Sequence, residues 1–201
     1  HGTLMHEYSM ANFYLDRFYL FGKNDLKNLL SYKIPNENLV VVGNPIFDNL
    51  QHRKFNKPIS DLKNKFSISC KKTVLIATSG SGRSVSDNHH KKLIKSFFEI
   101  SKKNKEVLFI VKLHKSPFKD NIQNYKPYLK KHQSNNLQII EYYNDFSQSI
   151  YDWIYESDLV ITGLSTTGLE SLALKVPAIC YDLNKEFTNN EIFTKNLIYC
   201  Q

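Results

Sequence analysis

The stretch Ser165-Thr166-Thr167-Gly168-Leu169-Glu170 places three hydroxyls, a glycine and a carboxylate within six residues. An apolar run, Leu159-Val160-Ile161, precedes it, and an apolar-periodic segment follows as far as Lys175. Pro177 then introduces a second apolar run, Ala178-Ile179-Cys180. The order reads as strand, polar turn, helix, strand. A helix N-terminus carries N–H groups without intrahelical partners and a partial positive charge. Small residues at that point let a phosphate approach the backbone, and Ser165, Thr166 and Thr167 add hydroxyl donors. A plain N-cap needs only one hydroxyl. Three of them, with Gly168, favour an anion site. Glu170 falls one turn into the helix, where it either complements the helix dipole or accepts hydrogen bonds from a ribose.

Other polar sets stand where apolar runs end. Ser79-Gly80-Ser81-Gly82-Arg83-Ser84 follows the β-branched run Thr73 to Ala77. Gly80 and Gly82 match two glycines of a dinucleotide fingerprint, but Val85 stands where the third would be. No Gly-Lys-Ser/Thr follows, which excludes a P-loop. Arg83 is either a phosphate partner or a surface arginine. Lys112 and His114 are two residues apart at the end of Val107 to Leu113, so they share one side of a strand end. Both can donate to a diphosphate, and a structural role for His114 stays open. His1, beside Gly2, is a candidate general base or phosphate donor, or else a loop residue. Gly43-Asn44-Pro45 closes a further run. His89-His90 has no carboxylate or cysteine at ligand spacing, so no metal site is expected.

The elements that must position these residues alternate in type. Strands are expected at Phe18 to Phe21, Leu39 to Val42, Thr73 to Ala77, Val107 to Leu113, Leu137 to Ile140, Leu159 to Ile161 and Ala178 to Cys180. Helices are expected at Asp25 to Ser31, Asp87 to Lys102, Tyr125 to His132, Ser147 to Tyr155 and in the segment that follows the Ser165–Gly168 patch and runs to Lys175. In the second of these, Leu93, Ile94, Phe97, Phe98 and Ile100 suit one buried face. Strands alternating with helices imply βαβ units and a parallel sheet covered on both faces. The fold class is therefore α/β and Rossmann-like. In such sheets ligands bind beyond the carboxyl ends of the strands, where the polar sets lie. The polar segment Gln51 to Lys63, with Pro58, reads as a linker.

Bulk properties bound the function. The chain has 201 residues and is 41% hydrophobic, which excludes a disordered chain. It starts at His1, and a preceding N-terminal part is expected. No apolar run approaches the ~20 residues of a membrane span. Cys70, Cys180 and Cys200 are too few and too widely spaced for a disulfide framework, so a reducing cytoplasm is expected. The net charge of +8 calls for an anionic partner or serves solubility. Lys91, Lys92 and Lys95 on one helix, and Lys126, Lys130 and Lys131 on another, are candidates for peripheral contact with an anionic inner membrane leaflet. No ribonucleoprotein-type motif is present, and no nucleic-acid partner is expected.

The chain resembles a family through "HGT", "YLFGKNDLKNLL", "VVGNPIFDNL", "VLIATSGSGR", "VKLH" and "SDLVITGLSTTGLESLALKVPAI". These occur in the order found in GT-B-type enzymes that use nucleotide-activated sugars. The nearest members are bacterial surface-polysaccharide enzymes: CDP-glycerol glycerophosphotransferases, capsule and Kdo transferases, and the related UDP-N-acetylglucosamine 2-epimerases. The resemblance implies two Rossmann-like domains around a cleft. Residues 1–50 would be the end of the N-terminal one and 51–201 the C-terminal, nucleotide-binding one. His1 would lie at the cleft edge as the base, His114 on the donor phosphates, Ser165 and Thr166 on phosphate, and Glu170 on the ribose. Relatives often have His-Pro where this chain has His114-Lys115. Epimerases carry a doubly acidic version of the last block, which the Ser-Thr-Thr-Gly-Leu-Glu sequence lacks. The expected activity is metal-independent transfer of a sugar or polyol phosphate from a CMP, CDP or UDP donor, with no cofactor. The acceptor would be a lipid-linked or polysaccharide chain of capsule, lipopolysaccharide or teichoic-acid type. The alternatives are 2-epimerisation and a non-catalytic basic module.

Overall fold

The computed structural model describes residues 16–31, 33–80, 86–114, 120–131, 135–141, 149–163, 165–181 and 198–200. Contacts divide the chain between Arg53 and Lys54 into two compact units.

In the first unit β1 (Phe18–Leu20), α1 (Lys23–Ser31), β2 (Leu39–Val41) and α2 (Pro45–His52) follow in order. The two strands pair in parallel, with Phe18 opposite Leu39. Leu20, Leu29 and Leu39 form a small core flanked by Phe18, Leu26 and Ile34. Gly43 has φ of 86°, a left-handed turn that a side chain would resist. The Asn44 side chain then accepts from Ile46 N–H at 3.1 Å, and Pro45 occupies the start of α2, where no N–H is required. The Gly-Asn-Pro set after this strand is accounted for as a helix start.

The second unit opens with α3 (Pro58–Lys65) and β3 (Lys72–Ala77), then α4 (Asp87–Lys103) and β4 (Val107–Lys112). The short α5 (Lys126–Leu129) leads to β5 (Leu137–Ile140), α6 (Ile150–Tyr155) and β6 (Leu159–Thr162). Then come α7 (Thr166–Ala173), β7 (Ala178–Tyr181) and β8 (Ile198–Cys200). Six strands form one sheet in the order β5-β4-β3-β6-β7-β8, and every neighbouring pair is parallel. Numbered from β3, this is the order 3-2-1-4-5-6 of doubly wound dinucleotide-binding sheets. Winding reverses between β3 and β6, so the crevice belongs at their carboxyl ends. Thr73 to Ala77 are all buried, as a central parallel strand covered on both faces must be.

One face of the sheet packs on α4. Val74, Ile76, Phe109, Val111 and Leu113 meet Ile94, Phe97 and Phe98 there, each such side chain stabilising the fold by roughly 1.5–3 kcal/mol. The buried face of α4 is His90, Ile94, Phe97, Phe98 and Ser101. Ile100, expected on that face, is 42% exposed. Helical phase explains this, since Ile100 is about 120° from the Ile94–Phe98 line. The opposite face of the sheet is set by the alternate residues, among them Leu75, Leu108, Ile110 and Val160, all buried.

Two expected boundaries are corrected. Gln51 to Lys63 is not one linker: α2 runs to His52 and α3 begins at Pro58. Ile59 and Leu62 of α3 are buried, and Glu156 caps its start, accepting from Ile59 N–H at 2.7 Å and Ser60 N–H at 3.2 Å. In place of a helix from Tyr125, a 3-10 turn (Ile122–Asn124) precedes α5. Pro127 lacks an N–H and stands in the first turn, which fixes where that helix starts. His132 lies outside the described residues.

Helix α7 ends short of the expected Lys175. Lys175 N–H bonds to Leu172 O at 2.9 Å and Val176 N–H to Ser171 O at 2.9 Å, the paired bonds of a Schellman cap. Lys175 therefore takes φ of 61°, a conformation that favours glycine. Lys175→Gly is expected to raise the unfolding free energy by about 1 kcal/mol. Urea unfolding checks this, and an unchanged or lower midpoint would contradict it.

Candidate functional site

The registers of the central strands bring the sequence-predicted residues to one edge. Ala77 is opposite both Lys112 and Thr162, so β4, β3 and β6 end level with one another. Immediately beyond lie Thr78-Ser79-Gly80, Leu113-His114 and Gly163 with the start of α7. Gly80 turns the chain with φ of 68°. Ser79 and Gly163 are in close contact: a Cβ on Gly163 would lie 2.8 Å from Ser79 Oγ and 3.4 Å from the Tyr181 ring. A side chain here would have to displace the Ser79 hydroxyl, which stands against the β6–α7 turn.

Ser165 is the N-cap of α7, its Oγ accepting from Thr167 N–H at 3.3 Å. Its hydroxyl lies 3.2 Å from Thr167 Oγ1. The Thr166 hydroxyl bonds to Glu170 one turn on. The hydroxyl cluster therefore builds the helix start as well as lining it, and Ser165, Thr166 and Thr167 are all half-buried. Anionic groups are favoured at such a terminus by the helix dipole and the backbone N–H groups.

Glu170 lies between α6 and α7, and Tyr151 Oη donates to its Oε1 at 3.3 Å. Burial pushes the Glu170 carboxyl above its ordinary pKa, while the Tyr151 and Thr166 hydrogen bonds pull the other way. Its folded-state value thus exceeds the unfolded one. Ionising Glu170 opposes folding, and its contribution to stability falls as pH rises through the folded value. A diol donating to this carboxylate would favour the ionised form.

Lys112 and His114 differ in setting. His114 is half-buried just past β4. Lys112 is 6% exposed, with Nζ 5.0 Å from the centroid of the Trp153 ring. It is a buried cation lying over an aromatic face in the layer between the sheet and α6. His1 and Arg83 lie outside the described residues.

Sequence reading missed the polar groups beneath this edge. Thr78, His90, Asp120 and Tyr125 are all buried and hydrogen-bonded together. In the sequence His90 stands out only as half of a His-His pair. Among the described residues no group of three or more His, Cys, Asp or Glu is placed to hold a metal ion. No described helix is long and apolar enough to cross a membrane. Lys91, Lys92, Lys95, Lys126, Lys130 and Lys131 are all exposed.

The lipid-A-disaccharide synthetase family model matches residues 32–189. A comparison with curated protein sequences gives no match. Among solved structures, the chain is similar to the UDP-GlcNAc 2-epimerase of Methanocaldococcus jannaschii, in complex with UDP-GlcNAc and UDP. Identity is 20%, TM-score 0.61, and the alignment covers 92% of this chain and 50% of that one. It is also similar to MnaA of S. aureus bound to UDP, at 18% identity and TM-score 0.61, covering 82% and 42%. The wall teichoic acid polymerase TagF is similar at 16% identity and TM-score 0.50, covering 85% and 39%. The chain thus spans half or less of the length of these structures. The likeness fixes the fold as Rossmann-like α/β.

Proposed function

The chain belongs to the lipid-A-disaccharide synthetase family, a GT-B glycosyltransferase family, and from that premise we propose that its second unit binds the nucleotide of an activated donor. The site is the carboxyl edge of β4, β3 and β6. The observation that carries this reading is the convergence of Ser79, Gly80, His114 and the α7 start at the point where the winding reverses. In this reading Ser79, Gly80, Ser165, Thr166 and Thr167 cradle phosphate, His114 donates to it, and Glu170 accepts from the ribose. Arg83 keeps the phosphate role and His1 the base role that the resemblance implies. Lys112 acts through its charge from beneath the edge.

The whole protein, in this proposal, transfers a sugar or polyol phosphate to a surface-polysaccharide or lipid-linked acceptor. Departure of the nucleotide leaves negative charge on phosphate. Helix N–H groups, hydroxyls and His114 stabilise that charge electrostatically, without a metal ion, while a base takes the proton of the acceptor hydroxyl. The donor is of CMP, CDP or UDP type. The exposed Lys91, Lys92 and Lys95 of α4, and Lys126 of α5 with Lys130 and Lys131 just after it, suit peripheral contact with the anionic cytoplasmic leaflet, where a lipid-linked acceptor would lie.

Calorimetry of the protein with UMP, UDP, CMP and CDP is expected to give saturable binding to at least one of them. Absence of heat with all four at millimolar ligand would contradict the site. A second reading, 2-epimerisation, draws on the fold shared with the Methanocaldococcus jannaschii UDP-GlcNAc 2-epimerase. Incubation with UDP-GlcNAc alone separates the two. Unchanged substrate by NMR is expected, and rapid appearance of the manno epimer would overturn transfer.

A further inference from the structure

Next to Ser79 in the chain, three buried polar side chains, those of Thr78, His90 and Tyr125, meet on the buried Asp120 carboxylate. Asp120 is 2% exposed. Its Oδ2 accepts from Thr78 Oγ1 at 2.5 Å and from Tyr125 Oη at 3.0 Å. Its Oδ1 lies 3.1 Å from Nε2 of His90, which is 5% exposed. Burial, with the Asp120 charge beside it, pushes the Tyr125 phenol well above its ordinary pKa, so it remains a donor. A carboxylate in such a place costs several kcal/mol unless its oxygens are paired, and here three donors pair it. The Thr78 hydroxyl is also 3.4 Å from Lys112 O, but its single proton serves the shorter contact.

The placement of this cluster sets it apart from an ordinary core hydrogen bond. Thr78 immediately precedes Ser79, whose backbone bonds to the Tyr181 phenol. Asp120 lies six residues beyond His114 in the chain. His90 sits in the first turns of α4, the helix that follows the Ser79–Gly80 turn. One carboxylate therefore ties together the segments that leave β3 and β4, the two strands whose ends carry the proposed phosphate contacts. An apolar group at position 120 would fill the space without fixing direction, whereas hydrogen bonds to Thr78 and Tyr125 set the rotation of the strand end.

We propose that Asp120, with Thr78, His90 and Tyr125, is a positioning cluster that holds the Ser79–Gly80 turn in the geometry that receives the donor phosphates. This rests on the reading of the site as a nucleotide site. None of the four side chains touches the ligand in this account, and they act through Ser79 and Gly80.

The test uses Thr78→Val, which keeps the shape but removes the hydroxyl, and Thr78→Ser, which restores it. Two quantities are measured on the protein: affinity for UMP, UDP, CMP and CDP by calorimetry, and amide hydrogen exchange at Ser79 and Gly80. Thr78→Val is expected to weaken nucleotide binding about tenfold and to speed exchange at Ser79 and Gly80 by a similar factor. Exchange at Leu75, Ile110 and Val160 stays at the wild-type rate, and Thr78→Ser matches wild type in both measurements. Wild-type affinity and exchange in Thr78→Val would overturn the proposal. So would equal losses in both variants, or faster exchange throughout the sheet, which is the mark of a purely structural role. Wild-type protein that binds none of UMP, UDP, CMP and CDP would contradict the nucleotide site itself, and the exchange measurement would then decide the positioning role alone.

Discussion

Asp152→Ala is expected to lower the unfolding free energy by about 3 kcal/mol, because it strips acceptors from buried donors. Asp152 is fully buried. One oxygen accepts from Asn56 N–H at 3.1 Å, and the other from Ser149 N–H at 2.8 Å and Ser149 Oγ at 3.2 Å. The carboxylate closes the capping box at the start of α6 and also pins the segment between α2 and α3. Phe55 stacks on Tyr155 at 4.3 Å beside it. Alanine leaves two backbone N–H groups without their partner, each costing on the order of 1–3 kcal/mol. Asp152→Asn keeps one acceptor oxygen and is expected to recover part of the loss. Urea unfolding with an unchanged m-value measures both. A loss below about 1 kcal/mol for the alanine variant, within the range of ordinary surface substitutions, would contradict the account.

Gly163→Val is expected to reduce nucleotide affinity by more than about tenfold and to cost about 1–3 kcal/mol of stability, the scale of overpacking. A Cβ there meets Ser79 Oγ at 2.8 Å and Tyr181 carbons at 3.4 and 3.5 Å. Gly163→Ala is the gentler case. The Ser79 hydroxyl can rotate away from one methyl, at small cost to folding but moving the donor from the phosphate position. In a Ser79→Ala background the 2.8 Å contact is gone, so Gly163→Ala should cost less there than in the wild type. That difference is a coupling energy between contacting residues. Additive effects of the two substitutions on stability and affinity would mean that Ser79 and Gly163 do not meet.

Much of the second unit was legible because its strands are short apolar runs with polar or glycine residues after them. Thr73 to Ala77 stops before Thr78-Ser79-Gly80, and Leu137 to Ile140 stops before Glu141. That Trp153, 41 residues on, would lie under Lys112 was not legible. Helix α3 was read as linker because its sequence, Pro-Ile-Ser-Asp-Leu-Lys-Asn-Lys, has too few apolar residues to show a period. Its start depends on Glu156, supplied from almost a hundred residues away. Ile100 was misplaced because an apolar residue on the flank of a helix looks the same in sequence as one on its buried line. The Asp120 cluster left no local mark. Its partners Thr78 and His90 are 42 and 30 residues away, and only the fold brings them together.

The most direct measurement of the central claim is an amide NMR titration of the protein with UMP, UDP, CMP and CDP in turn. The account predicts saturable shifts for at least one nucleotide at Ser79, Gly80, His114, Ser165 to Gly168 and Glu170, with the amino ends of β3, β4 and β6 unaffected. No shift at millimolar nucleotide, or shifts centred on Lys72, Val107 and Leu159 at the opposite edge of the sheet, would contradict it.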